Sequence, residues 1–242
     1  LSHPILTAGL VIMTAVKFSA GGLGFISGLS QRWGNKRNRE RWSTLALYRK
    51  TPLVYWFSKI RFWTGSFDEI EAWVPKRGDI IDLGCGYGIL SNYLSLKEAG
   101  RRIIGIDLDQ DKINQAISAS KSVVFCRGDV TTTDLPKADC IIVVDVLHHL
   151  SSFEAQARLI ARCFGLLRKG GKLIISDVDS TPVWKLFMGR LTDYILYPGQ
   201  PIYYRYTQQM LQLLRRFFPE RQITVVRITN TIFSHVLYIC QA

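Results

Sequence analysis

Three glycines, three acids and two histidines mark where this chain could do chemistry. In I-D-L-G-C-G-Y-G, residues 81–88, Gly84, Gly86 and Gly88 alternate directly behind an apolar run that carries one carboxylate, Asp82. Glycine has no side chain in the way, so such a loop turns sharply and lets a ligand approach its backbone. A helix starting there points its N–H groups back at the same spot. Read alone, such glycines are more often a structural turn than a ligand cradle. Asp107 ends the next apolar run, nineteen residues beyond Gly88. A carboxylate at that position accepts both hydroxyls of a ribose; the other reading is a helix N-cap, helped by Asp109. Asp129, in R-G-D-V, can accept from an adenine amino group while the Val130 backbone offers the complementary donor; otherwise it is an ordinary turn aspartate. His148 and His149 follow the most apolar run and are the general-base candidates. Their alternative is to pack or cap a helix beside Ser151 and Ser152.

The loop spacing narrows the ligand. A dinucleotide fingerprint is G-x-G-x-x-G. Counted from Gly84 its last position falls on Ile89, and from Gly86 on Ser91, so both fail. The pattern is G-x-G-x-G with an acid just before it. A carboxylate that close repels a pyrophosphate and attracts an ammonium or sulfonium.

Elements must hold these residues at one place. Apolar runs at Asp79–Leu83, Arg102–Asp107, Ser122–Cys126, Asp139–Asp145 and Leu173–Ser176 read as strands. Helical spacing covers Gly88–Ala99, Gln110–Ser120 and Phe153–Leu167, the last stopped by Gly170-Gly171. Continuously apolar strands alternating with helices predict a doubly wound α/β sheet covered on both faces. Ligands of such sheets sit at the carboxyl ends of the strands. Pro182–Leu196 and Tyr206–Phe218 read as helices around an aromatic, proline-rich connector. Gln222–Ile228 and Phe233–Cys240 read as a closing hairpin turned at Thr229-Asn230-Thr231.

I-D-L-G-C-G-Y-G, G-I-D-L-D, R-G-D-V and V-V-D-V-L-H-H-L, in that order and spacing, resemble a class I S-adenosylmethionine-dependent methyltransferase. The resemblance covers roughly residues 76–177. It implies a Rossmann-like, mostly parallel sheet of seven strands with a final antiparallel one, and S-adenosyl-L-methionine as cofactor. On that resemblance Asp82 and the glycines line the methionine end, Asp107 with Leu108 holds the ribose, Asp129 and Val130 address adenine, and Asp145 closes the site. The chain then divides into a methyltransferase domain, 76–242, with a substrate-side insertion near 180–206, behind an N-terminal helical extension, 1–75; the family pattern does not reach the first seventy residues or the aromatic connector, so substrate choice is expected there. The H-H-L turn is similar to that of quinone-biosynthesis and other small-molecule enzymes. It lacks the turn of amino-methylating DNA enzymes, the cysteine of RNA cytosine-C5 enzymes and the paired glutamates of protein-arginine enzymes.

Composition bounds the partners. The chain has 242 residues, 48% hydrophobic, with a formal charge of +12. That is one α/β domain with a sizeable core. Five scattered cysteines without a C-x-x-C pair read as buried thiols in a reducing, cytoplasmic setting, with neither a metal cage nor a disulfide framework. Between Arg32 and Trp63 nine cations are answered by Glu40 alone, with eight aromatics interleaved. That segment is either a solvated basic face or a surface for an anionic membrane. Ile5–Val16 is apolar but meets Lys17 and four glycines, which suits a membrane-contacting or covering helix better than a span of about twenty apolar residues. The expected acceptor is a hydrophobic small molecule, a lipid, or an acyl chain on an acidic carrier protein. Nucleic-acid methylation and an idle cofactor-binding scaffold are the rival readings.

Overall fold

A computed structural model describes residues 39–179, 183–196, 199, 202–228 and 235–242. The apolar segment Ile5–Val16, the basic residues Arg32, Lys36 and Arg37, and the turn at 229–231 lie outside them.

Among the described residues three helices come first: α1 (Arg39–Leu47), α2 (Pro52–Thr64) and α3 (Phe67–Glu71). Then follow β1 (Arg77–Leu83), α4 (Ile89–Lys97), β2 (Gly100–Asp107), α5 (Gln110–Gln115), β3 (Val123–Arg127), β4 (Ala138–Val144), α6 (Phe153–Leu166) and β5 (Leu167–Val178). The chain closes with α7 (Val183–Leu196), α8 (Thr207–Leu214), β6 (Ile223–Ile228) and β7 (His235–Gln241). The seven strands lie in the order β3-β2-β1-β4-β5-β7-β6. β1 to β5 run parallel, and β7 is antiparallel to both β5 and β6. The doubly wound α/β sheet with its antiparallel last strand is thus as expected.

Alternation along each strand splits the core in two. Ile81, Ile141, Val143, Leu173 and Ile175 face α6 and α8, meeting Leu159, Cys163, Leu213 and Phe218. Ile80, Ile103, Cys140, Ile142 and Ile174 face the other way, against Leu45, Tyr48, Phe62, Phe67, Ile70, Tyr93 and Leu94. The β-branched residues suit a pleat buried on both faces. The second layer is made largely by α1, α2, α3 and α4, so the described part of the N-terminal segment is a wall of this core. Buried Arg101 fastens it, donating to Pro75 O at 2.7 Å, Leu94 O at 2.9 Å, and Val74 O and Glu71 Oε1 at 3.0 Å each.

Several boundaries differ from those the pattern predicts, each for a local reason. α5 stops at Gln115 because Asn92 of α4 takes the next stretch away from the helix. Its amide donates to Ile117 O at 2.7 Å and accepts from Ala119 N at 2.8 Å. α6 ends at Leu166, before Gly170-Gly171, and those glycines belong to β5. There Gly170 N donates to Ala242 O and Ala242 N to Gly171 O, both at 2.8 Å, so the chain end extends the strand. No helix among the described residues is long and apolar enough to cross a membrane.

Candidate active site

The carboxyl ends of β1, β2, β3 and β4 lie along one edge of the sheet, and the candidate cofactor-binding and catalytic residues lie at or just beyond them. Gly84 has φ +76°, and a Cβ on it would lie 2.2 Å from Val146. Gly88 has φ +73°, and its Cβ would lie 2.2 Å from the Phe125 ring. Any other residue at either place would meet both the backbone strain and a clash. The first contact joins the glycine loop to the turn after β4. Gly86, at φ +55°, borders open space, so the loop exposes backbone at its centre.

Acids hold this loop from both sides. Asp107 Oδ2 accepts from Gly86 N at 2.8 Å, and its Oδ1 from Asp109 N at 2.9 Å. Asp109, and not Asp107, caps α5, accepting from Asp111 N at 2.9 Å and Lys112 N at 3.2 Å. Leu108 beside it is an exposed apolar side chain. Asp82 lies buried under the loop and accepts from Ser91 Oγ at 2.6 Å. Burial pushes its carboxyl up to about 6, against the Ser91 hydrogen bond, and the Asp107 charge adds to the rise. Asp129 Oδ1 accepts from Thr131 N at 2.7 Å and Thr131 Oγ1 at 2.6 Å, which holds its carboxyl below the usual range. Val130 is buried, its carbonyl accepting from Arg162 Nη1 at 2.8 Å.

The far wall comes from β4, β5 and β7. Asp145 has φ +55°, the described non-glycine residue with left-handed backbone. Its two oxygens are held by groups remote in sequence: Arg61 Nη2 of α2 at 2.9 Å and His235 Nε2 of β7 at 3.2 Å. Burial alone would raise its carboxyl, but the His235 and Arg61 charges outweigh it and hold the group far below the carboxylate range.

The structure separates the two histidines. His148 is buried, with Nδ1 at 2.5 Å from Asp177 Oδ1 at the end of β5. A carboxylate only accepts, so Nδ1 carries the proton and Nε2 is the basic nitrogen. The Tyr204 ring stacks on His148 with centroids 5.1 Å apart. Gln156 of α6 braces this arrangement, donating to Leu147 O at 3.0 Å and Tyr203 O at 2.7 Å, while Tyr203 N donates to His148 O at 2.8 Å. Arg205 Nε in turn donates to Gln156 Oε1 at 2.6 Å. The His149 ring lies 4.2 Å from that of His148, and burial pushes it down to about 4, with His148 adding to the fall.

Sequence reasoning missed Asp177, Arg61, His235 and Gln156. Asp177 ends an apolar strand, as Asp82 and Asp107 do, and that signal was available. The other three reach the site only through tertiary packing.

The open glycine backbone, the carboxylates on β1 and β2 and the exposed Leu108 fit a cationic nucleoside. Residues 81–175 match the family model of the methyltransferase domain. A probable S-adenosylmethionine-dependent methyltransferase of Mycolicibacterium smegmatis is 30% identical over 100 residues, 40% of this chain and 37% of that protein. The ubiquinone biosynthesis O-methyltransferase of Coxiella burnetii is 28% identical over 117 residues, 46% of this chain and 48% of that one. The chain thus spans less than half the length of these curated relatives. Among solved structures, human N-acetylserotonin methyltransferase in complex with the cofactor superposes with a TM-score of 0.60 at 18% identity, over 86% of this chain and 61% of that one. A methyltransferase from Mesorhizobium loti gives 0.57 at 19% identity, over 74% of this chain and 99% of that one. Residues 81–175 thus carry a methyltransferase domain similar to those of S-adenosylmethionine-dependent enzymes, and the strand order and the solved structures show the fold that goes with it.

Proposed function

We propose that the protein methylates a hydrophobic small-molecule or lipid-type acceptor, with His148 as general base. The observation that supports this reading best is the His148–Asp177 pair at 2.5 Å, buried and stacked on Tyr204. When bound, S-adenosylmethionine supplies a methyl carbon already activated by its sulfonium. The chain then has three tasks. It orients the nucleoside, for which Asp107 offers carboxylate oxygens to the ribose, Leu108 an apolar face, and Asp129 with Val130 an edge for the adenine. It holds the cationic end, for which Asp82 beneath the glycine loop and Asp145 opposite supply negative charge. It also takes the acceptor's proton. With the cofactor bound, the acceptor oxygen would take the methyl carbon while the carbon–sulfur bond breaks with its electron pair left on sulfur; the hydroxyl proton would pass to His148 Nε2, and Asp177 would stabilise the imidazolium.

The Asp145–Arg61 pair ties the N-terminal wall to this end of the site. Tyr203 and Tyr204 stand beside His148, and on this reading they face the acceptor. The names of two relatives, a ubiquinone biosynthesis enzyme and an N-acetylserotonin enzyme, support a hydroxylated aromatic or otherwise greasy acceptor. The test uses S-adenosylmethionine labelled in the methyl group, offered with hydroxylated aromatics, fatty acyl carrier protein, a lipid extract and RNA. Label entering the organic phase, and lost in both His148→Ala and Asp177→Asn, is the expected result. Label entering RNA alone overturns the acceptor reading. Cofactor binding with no transfer to any of them favours an idle scaffold.

A further inference from the structure

A helix docked on a protein buries its apolar stripe and turns its charge outward. α7 does the reverse. Val183, Phe187, Leu191 and Tyr194, stepping four, four and three residues, share one face with Trp184 beside them. They are exposed to 75%, 64%, 38%, 70% and 58% respectively. The opposite side carries Lys185 and Gly189, and both are buried. A Cβ on Gly189 would come 3.7 Å from Val178, so this is the side that sits on the end of β5. The helix therefore holds a lysine and a glycine inward and five large apolar side chains toward solvent.

We propose that this face of α7 lies on an anionic lipid bilayer. Trp184 and Tyr194 have amphipathic rings suited to the headgroup boundary, and Val183, Phe187 and Leu191 supply the part that enters it. Cations sit beside aromatics near this same end of β5, where Tyr204 stacks on His148 and His148 meets Asp177. Arg190 is exposed on α7 with its guanidinium 5.5 Å from the Tyr204 ring, and Arg205 stands 4.6 Å over exposed Phe153. The charge of +12 complements anionic headgroups. It also weighs against a second copy as the occupant, since two such chains repel. The inference deepens the proposed function by naming the surface from which a greasy acceptor would be drawn.

The experiment is co-sedimentation of the full chain with vesicles of phosphatidylglycerol and phosphatidylcholine, against phosphatidylcholine alone, at low and high salt. The wild type is expected to pellet with the anionic vesicles and to be released by salt. Trp184→Ser with Phe187→Ser should weaken binding by about tenfold or more, while Val124→Ser, an exposed apolar residue on the edge strand β3, should not. Tyr194→Ser alone, checked by circular dichroism, keeps the test open if the double variant misfolds; it should weaken binding in the same direction. Wild type that stays in the supernatant overturns the proposal. So does a folded double variant that binds as well as wild type, or a wild-type dimer that the double variant converts to monomer. No acceptor or cofactor is present, so a failure here leaves the methyl-transfer reading intact. Failed transfer beside intact vesicle binding overturns only that reading.

Discussion

Replacing Asp82 by Asn should stabilise the empty protein near neutral pH while weakening its grip on the cofactor. The carboxyl is buried and held at about 6 in the folded chain, against an ordinary value of 3.8. A carboxylic acid with a raised folded pKa binds its proton more tightly in the native state than in the unfolded one. Stability is then lost as pH rises from the unfolded value through the folded one. The shift is about two pH units, and each is worth about 1.4 kcal/mol, so ionised Asp82 costs the fold roughly 3 kcal/mol at about pH 7. An amide does not titrate, and its oxygen can still accept from Ser91. The quantity to measure is the stability of Asp82→Asn relative to wild type, by urea unfolding at several pH values. It should rise by roughly 3 kcal/mol between about pH 4 and about pH 7, whatever constant offset the amide brings. Titration calorimetry on the same variant should show weaker S-adenosylmethionine binding, by about tenfold, because the ligand's cation no longer meets a carboxylate. A pH-independent stability difference would refute the assignment of Asp82 as a buried acid that the cofactor's charge offsets.

Other outcomes follow from the same geometry. Asp107→Ala should weaken cofactor binding by about tenfold to a hundredfold, the loss of one charge-assisted hydrogen-bond partner, as calorimetry would show; unchanged affinity would remove the ribose assignment. His148→Ala and Asp177→Asn should each lower kcat by about a hundredfold or more with little change in cofactor affinity, whereas His149→Ala should keep the wild-type pH–rate profile, since His149 is pushed down to about 4. Arg61→Ala, which leaves Asp145 its hydrogen bond to His235, should raise the KM for acceptor more than it lowers cofactor affinity, read in steady-state kinetics. Arg101→Met should destabilise the fold by about 3–5 kcal/mol, because four acceptors around a buried guanidinium lose their donors, and thermal unfolding would register it.

The sheet was legible because its strands are continuous apolar runs. Ile80 to Leu83 and Cys140 to Val143 bury both faces, and no helix period competes with them. Helix ends were less so. Asn92 ends α5 from a different helix, and the chain terminus at Ala242 draws Gly170-Gly171 into β5. Neither contact leaves a mark within a local window. The same division holds at the site. The glycine loop and the strand-tip acids occupy fixed places in βα turns, so spacing finds them. The partners of Asp145 lie 84 and 90 residues away, and those of Arg101 belong to α3, α4 and the turn between α3 and β1. Choosing between His148 and His149 required knowing which one faces Asp177, 29 residues from His148. The pattern of α7 announced a helix, but which of its faces points outward depends on Val178 and the end of β5.

Calorimetric titration of the purified chain with S-adenosylmethionine, beside a nicotinamide dinucleotide and a nucleoside triphosphate, tests the central assignment most directly. The account predicts saturable heat with the sulfonium nucleoside alone, reduced in Asp107→Ala and in Asp82→Asn. Tight binding of either phosphate-bearing ligand, with no heat from S-adenosylmethionine, would contradict it.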